Sequence, residues 1–466
     1  MIPLLASFLL FANSVPDSTA VSSANASYDG NSLVLKGQVL LDHGLGTMKA
    51  EEAILDKQEV GKDFPFSFIR LRKDVLLTLS QTSSLSCETA DLDFTTLKGH
   101  LTGKEKLRYT DSLKRKKGGK TVFSLTSKQA DLDLSKQEKD SEKPHYEIAS
   151  ILAQDTVEVE YDQKYVLHAD TALYRKLQNQ ISAYSQKEET LCQLTYDENS
   201  IEAKTMNLDL MRSEISMQAP RGTLHSLASH LSKAQTQFSS DTLFWNHLTS
   251  TLSLKGHVHL QDPSLGTVVA DEEVKVIQTD REISSIKTQG KTTVNYLNTH
   301  KLTCFGTIDL NKTKLQGNLT SPLLNGSVPS DQQISYQEEE ITIFADTGYM
   351  EYTIRDGQIE PIAMSLKGNV HLFSHDPSKP VSYGITDRIT YSPTTRTFIL
   401  SADPGKRVIF ISDDDGTRIS AQEVHITQDP ETHKQTVKGI GNVHLALSSE
   451  EEALIQKIFN LSKIIP

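Results

Sequence analysis

Cysteine is scarce in this chain of 466 residues: Cys87, Cys192 and Cys304 lie about a hundred positions apart. They form no CxxC pair, zinc-type spacing or disulfide framework, and at most one bridge could join them. Net positive charge is also missing. Forty-eight basic against 60 acidic residues give −12 and a pI near 5.7, which disfavours a general nucleic-acid binder. Long apolar runs are absent beyond the N-terminus, and no later stretch reaches the roughly 20 residues of a membrane-spanning helix. The N-terminal run, Ile2 to Ala12, is too short to span. It precedes small residues, Ala12 and Ser14 or Ser18 and Ala20, spaced like positions −3 and −1 of a signal-peptidase site, so residues 1–20 read as a signal peptide. No Lys or Arg precedes Lys36, so either the true start lies upstream or the signal is atypical, with a buried N-terminal strand or a short membrane anchor as the rival readings. Catalytic motifs are missing too: there is no GxSxG, HExxH, P-loop or complete GxGxxG. Carboxylates are spread too evenly to mark a glycosidase pair. No cofactor is expected.

What is present is repetition. The motif LKGxVxL stands at Leu35 to Leu41, Leu254 to Leu260 and Leu366 to Leu372, and in extended form at Val437 to Leu445. Leu, Gly, Val and Leu alternate with Lys and polar residues, which is strand periodicity with one buried face. The glycine leaves room for a close neighbour or marks a bulge where the strand bends. A second motif, apolar-x-Ala-acid-x-x-x-apolar, recurs at Met48 to Leu55, Leu167 to Tyr174, Val268 to Lys275, Ile343 to Met350 and Ile419 to Ile426. Looser copies lie at Leu85 to Leu92, Leu125 to Leu132, Ile201 to Leu208, Met217 to Leu224 and Ile385 to Tyr391. Cys87 and Cys304 fall where related segments carry alanine, which points to small buried residues rather than redox groups. Turn clusters such as DHGLG and ADPGK separate well over a dozen short strands.

Strands without intervening helices imply antiparallel pairing, and the regular series predicts an all-β, open antiparallel β-jellyroll of two or more units. The exception is SSEEEALIQKIFNLSKII, where Ser449 is expected to cap an amphipathic helix bearing Ala453, Leu454, Ile458, Phe459 and Leu461. The division expected is a first β region over 21–235, a second over 236–447 and the helix within 448–466. The segment Lys104 to Lys120, with eight basic and two acidic residues, reads as a solvated insertion lengthening a hairpin, with contact to lipid phosphates or an anionic membrane surface as the rival. Tyr109 is its one aromatic, too few for a nucleic-acid surface. His257, His259, His371 and His444 share the polar strand face. Solvated histidines are a plainer reading there than a surface metal site.

The segment Ser32 to Lys57, SLVLKGQVLLDHGLGTMKAEEAILDK, resembles the opening strands of the OstA/LptA family of lipopolysaccharide-transport proteins through Leu35, Gly37, Val39, Ala50 and Glu51. The copies from Leu254 and Leu366 resemble further units. The resemblance implies a non-enzymatic periplasmic β-jellyroll whose apolar interior shields acyl chains of lipopolysaccharide or a related glycolipid between the two membranes. It also implies that other β-jellyroll transport proteins join through edge strands. Leu35, Val39, Leu41, Leu254, Val258, Leu260, Leu366, Val370, Leu372, Val443 and Leu445 would then line the groove. The same alternation also fits a closed core. The chain is more than twice the length of a compact bridge component, and its second half lacks the girdles of a membrane barrel. Two rivals remain open, a structural envelope protein assembling edge to edge and a carbohydrate-active β-helix enzyme.

Overall fold

The computed structural model describes residues 20–57, 66–114, 120–137, 145–185, 190–196, 199–225, 235–262, 266–279, 282–296, 299–338, 341–355, 358–374, 381–392, 394–412, 416–429 and 435–459. Of the expected signal peptide, residues 1–19 lie outside this set. Among the described residues the chain is all-β and antiparallel, apart from a 3-10 turn at Ser330–Gln332 and a C-terminal helix, Ser449–Phe459. It forms two compact units, Met1–Pro220 with Asn246–Leu248, and Arg221–Trp245 with Thr249–Pro466.

In the first unit eight long strands form a meander, each paired with the next: Ser32–His43, Gly46–Asp56, Phe68–Thr78, Ser84–Asp93, Lys98–Lys114, Lys120–Gln137, His145–Tyr161 and Tyr165–Arg175. Pairing slips near mid-strand in seven successive pairs: at Lys36/Val39, Lys49/Glu52, Arg72/Val75, Ser86/Thr89, Thr102/Leu107, Thr126/Gln129 and Ala169/Thr171. Such a row of bulges bends every strand at one level, so its two halves diverge.

The second unit repeats the device with most strands parted at the corner into two separate halves. Thr251–Lys255, Glu273–Thr279, Glu282–Gln289, Thr307–Asn311, Gln316–Thr320 and Thr347–Arg355 form one ladder. Val258–Asp262, Gly266–Ala270, Thr292–Tyr296, His300–Cys304, Ile334–Glu338 and Ile341–Ala345 form the other. The long strand Gln358–Ser374 joins both, its first half pairing with Thr347–Arg355 and its second with Ile341–Ala345. The inner faces meet, with Cys304 and Ile334 of one ladder packed on Ile308 and Leu319 of the other. Each such buried aliphatic contributes about 1.5–3 kcal/mol.

The two sequence motifs are the two sides of one corner. Gly37, Gly256, Gly368 and Gly441 have φ of +79°, +70°, +79° and +72°, and the residues after them, Gln38, His257, Asn369 and Asn442, also lie between +43° and +49°. Two successive left-handed residues turn the strand from one ladder into the other, and glycine takes the first position without the Cβ penalty that Lys73 and Asp155 bear at corresponding corners of the first unit. A second constraint acts at the same atom. A Cβ on Gly256 would lie 2.2 Å from Asp241 Oδ2, and one on Gly368 2.7 Å from Asp346 Oδ2. Asp346 follows the buried Ala345 of the second motif; its amide donates to Lys367 O (3.2 Å) and Gly368 O (3.0 Å), and its carboxylate accepts from Asn369 Nδ2 at 2.7 Å. The acid after alanine therefore closes over the glycine of a neighbouring corner and satisfies its polar groups.

The helix differs in detail from its expected form. Ser448, one residue earlier than Ser449, is the cap: its Oγ accepts the Glu451 amide at 3.2 Å, and the Glu451 carboxylate accepts the Ser448 amide at 2.7 Å. Ile455 and Phe459 are buried against Ile409, with Phe373, Tyr383, Ile385 and Ile458 beside them. Ala453 and Leu454 are exposed, because the buried stripe runs through 455, 458 and 459 at i, i+3, i+4 spacing. Leu461 lies outside the described residues.

Candidate functional site

Nine of the eleven residues expected on the groove face, Leu35, Val39, Leu41, Leu254, Val258, Leu260, Leu366, Val370 and Leu372, are buried, while Val443 and Leu445 are 42% and 77% exposed. Those two are on the same face as the others but are not covered as the other nine are. His444 bridges Ser420 across the ladder, which sets Val443 and Leu445 beside Ala421 and Ile419 on the inner face. No described strand lies beyond them, so water reaches them. Burial of the other nine places them between the ladders without distinguishing cargo from neighbouring side chains as the covering material.

The interior is not uniform. In the middle of the second unit the row nearest the corners, Cys304, Ile308, Leu319 and Ile334, is buried, but the next row outward, Val294, Leu302 and Leu310, is half-buried, as are Tyr336 and Met350. Exposure thus rises from corner to rim, which makes an apolar cleft with a dry floor. At Gly317 a Cβ would lie 2.7 Å from Met350 Cγ and 2.8 Å from Leu310 Cδ2, so both side chains pack down over the backbone where a larger residue would push them outward. None of these cleft residues sits in an LKGxVxL copy, so the groove expectation passed over them, although Cys304 was read as a small buried residue and Met350 ends a copy of the second motif. Their signal was plain alternation in TVNY, HKLTC and TIDLN, as Val294, Leu302 and Leu310.

A polar knot closes the rim of the cleft. Tyr336 Oη donates to Glu338 Oε2 at 2.8 Å and lies 3.0 Å from His300 Nδ1, and Tyr391 Oη donates to Glu338 Oε1 at 3.5 Å. Because the tyrosine proton is committed to the carboxylate, His300 serves as the donor to Tyr336. Burial first, and then the Glu338 charge, push the Tyr336 hydroxyl well above the usual phenol range, so it remains a neutral hydrogen-bond donor. An amphiphile laid in the cleft meets methylene surface inside and hydrogen-bonding groups at the edge.

The remaining sequence candidates fall elsewhere. The basic segment is strand rather than loop over most of its described length: Lys104, Glu105 and Lys106 occupy the corner slip, and Leu107, Tyr109 and Asp111 are buried beyond it. Residues 115–119 lie outside the described residues. The lengthened hairpin is present, with strands of 17 and 18 residues. All three cysteines are free and buried. Burial pushes the Cys87 thiol up to about 12 and Cys192 to about 11, and raises Cys304, which leaves all three as unreactive thiols. His257 bonds Asp241 at 2.8 Å, and the His371 ring stacks on Phe344 at 5.2 Å. Among the described residues no three His, Cys, Asp or Glu side chains gather as a metal site.

Bent strands, paired motifs and an apolar interior define an all-β antiparallel repeat protein with a partly open cleft. No family model matches the chain, and no curated protein matches it. Among solved structures it is similar to LptH, described as the LptA-homologous periplasmic component of the conserved lipopolysaccharide transport device from Pseudomonas aeruginosa. The likeness has 8% identity and a TM-score of 0.24, and covers 32% of this chain and 94% of that one. At that level no residue-by-residue correspondence follows.

Proposed function

We propose that this protein is a non-enzymatic, periplasmic carrier that shelters the acyl chains of lipopolysaccharide or a related glycolipid in an apolar interior. The supporting observation is the cleft of the second unit, where Val294, Leu302, Leu310 and Met350 are only partly buried over a buried apolar floor. Each acyl methylene left in water costs about 0.8 kcal/mol, so a lipid crossing an aqueous space gains from such a surface without any catalytic group. Outer-membrane biogenesis and transfer to other β-jellyroll proteins through edge strands belong to the same reading. The exposed terminal segment Val443 to Leu445, joined to Ser420 by the single bridge of His444, is one such edge.

A photo-crosslinking residue at Leu302 or Leu310 is expected to capture an acylated glycolipid in cells, and the same residue at the outward Lys301 or Asp309 to capture little. Normal folding with no adduct at either set would reject the carrier. The rival, an envelope scaffold assembling edge to edge, draws on the filled interior of the first unit. It predicts protein–protein adducts at Val443 or Leu445 and no lipid.

A further inference from the structure

Where the chain of the second unit crosses from one ladder to the other, it does so in few residues. Gly256 and His257 suffice between Thr251–Lys255 and Val258–Asp262, and Asp346 alone between Ile341–Ala345 and Thr347–Arg355. Between Gln316–Thr320 and Ile334–Glu338 the crossing takes residues 321–333 instead. Both ends of this excursion are tied to the next corner. The Ser321 amide donates to Asp346 O at 3.1 Å, Ser321 Oγ accepts the Ile334 amide at 3.1 Å, and Gln333 Nε2 donates to Asp346 Oδ1 at 2.8 Å and Asn369 O at 3.2 Å. The returning end, Ser330, Asp331 and Gln333, shares a depression with Thr293, Thr303 and Ser335. Those three alternate with the inward Val294, Leu302 and Ile334, so it lies on the face away from the cleft.

The outer end of the excursion is a closed hairpin tip. Leu324 N–H donates to Ser327 O at 2.8 Å and Ser327 N–H to Leu324 O at 3.1 Å. Between them Asn325 and Gly326 have φ of +53° and +84°, the left-handed pair of a two-residue turn. Leu323 and Leu324 stand on this tip 71% and 62% exposed. Single exposed leucines are ordinary on a protein surface, but an adjacent pair held out on a fixed convex turn contributes nothing to the core. The run Ser321–Ser330, SPLLNGSVPS, carries no charge in a chain with 23% charged residues. Pro322 and Pro329 bring no N–H, and the turn pairs its own backbone, so the tip can leave water with little hydrogen bonding lost. Lys291 and Lys301 are exposed in the same depression and, among the described residues, pair with no carboxylate. Asp331 is the one acid lining it, which leaves the patch one positive in a chain of net charge −12.

We propose that this tip docks the protein on the surface of a phospholipid bilayer, with Leu323 and Leu324 entering the interfacial layer and Lys291 and Lys301 facing anionic headgroups. A convex apolar tip fits a fluid surface as it stands, whereas a protein partner has to present a cavity shaped for it. Two leucines and two lysines supply a reversible attachment rather than a permanent anchor. The proposal does not rest on the acyl-chain reading, because none of these residues lines the cleft.

Co-sedimentation of the full chain with vesicles of phosphatidylcholine containing about a quarter phosphatidylglycerol tests it. An environment-sensitive nitrobenzoxadiazole label on S327C reports the tip, and labelling is selective because the three native cysteines are buried. Saturable binding is expected, with a blue shift of the label and quenching by lipid spin-labelled near the headgroup. L323S/L324S, with an unchanged circular dichroism spectrum, is expected to weaken binding about a hundredfold. K291Q/K301Q is expected to weaken it about tenfold, and only where phosphatidylglycerol is present. Adducts at Leu302 test the carrier and no part of this binding, so either reading can fail alone. No binding, equal binding by L323S/L324S, or a label that stays in water on bound vesicles overturns the proposal. It is overturned equally by a blue shift that grows with protein concentration without vesicles, which seats the tip in a second copy, or by a photo-crosslinking residue at Leu323 that captures protein and no phospholipid in cells.

Discussion

The two units bend their strands in the same way but fill the space between the halves differently. In the first, Tyr109, Phe123 and Tyr174 meet at ring-centroid distances of 4.8 to 5.8 Å, and all three are fully buried. A second knot stacks Tyr165 on Tyr196 at 4.3 Å, and a third gathers His43, Phe94 and Tyr146. In the middle of the second unit the corresponding depth holds Val, Leu, Met and Gly317, and water reaches it. Corner geometry therefore sets the separation of the ladders, and side-chain volume decides whether the gap is a core or a cleft.

That contrast can be broken most forcefully in the aromatic knot. Phe123→Ala empties a fully packed site and is expected to lower stability by about 3–5 kcal/mol in urea unfolding, while lipid adducts at Leu302 in the folded fraction stay unchanged. A loss under 1 kcal/mol would mean that the first interior is as loosely filled as the second.

Next in size is a pH effect confined to the first unit. His43 is buried against Phe94 and Tyr146, its Nδ1 accepts the Leu45 amide at 3.1 Å, and desolvation lowers its pKa to about 4. Below the ordinary histidine value near 6.5 the unfolded chain takes up a proton that the folded one refuses. The stability from the neutral ring is therefore complete above about pH 6.5 and is lost as pH falls toward 4, on the order of 3 kcal/mol. The difference in unfolding free energy between wild type and His43→Gln, measured from pH 7 to 4.5, should shrink by that order. A constant difference would show that His43 titrates normally.

Smaller again is Leu302→Ala, which removes a side chain already half in water; about 1 kcal/mol is expected, together with a marked fall in adducts captured from Leu310. Stability loss like that of Phe123→Ala would make the cleft a core after all. The smallest is Ser448→Ala, about 1 kcal/mol or less, local to the helix and read as lost helicity at 222 nm. It should leave both interiors untouched.

Fold class was legible because alternation and the two motifs report local geometry. The glycine of LKGxVxL was read as a close approach or a bend, and it is both. What motif reading could not show was that the residue after alanine belongs to the glycine of a separate segment, the acid Asp346 with Gly368 and the amide Gln422 with Gly441, since nothing in either motif names its partner. The start of the helix was placed to within a residue, but its buried face was shifted because Leu454 and Ile455 are equally apolar and only the sheet beneath them chooses. The cleft was missed for a different reason. Half-buried and buried aliphatics have the same sequence pattern, so openness is a property of summed volumes that no single segment carries.

The paired corners also bear on how the chain reaches its fold. Each bent strand finds its partners among its immediate neighbours in sequence, so every step closes a short loop and little entropy is spent on distant encounters. A polypeptide emerging vectorially during synthesis can then lock one bent strand onto the last, and growth needs no final closing event that waits for the terminus. Pulse-labelled hydrogen exchange on stalled chains of increasing length should show protection advancing strand by strand rather than in one late step.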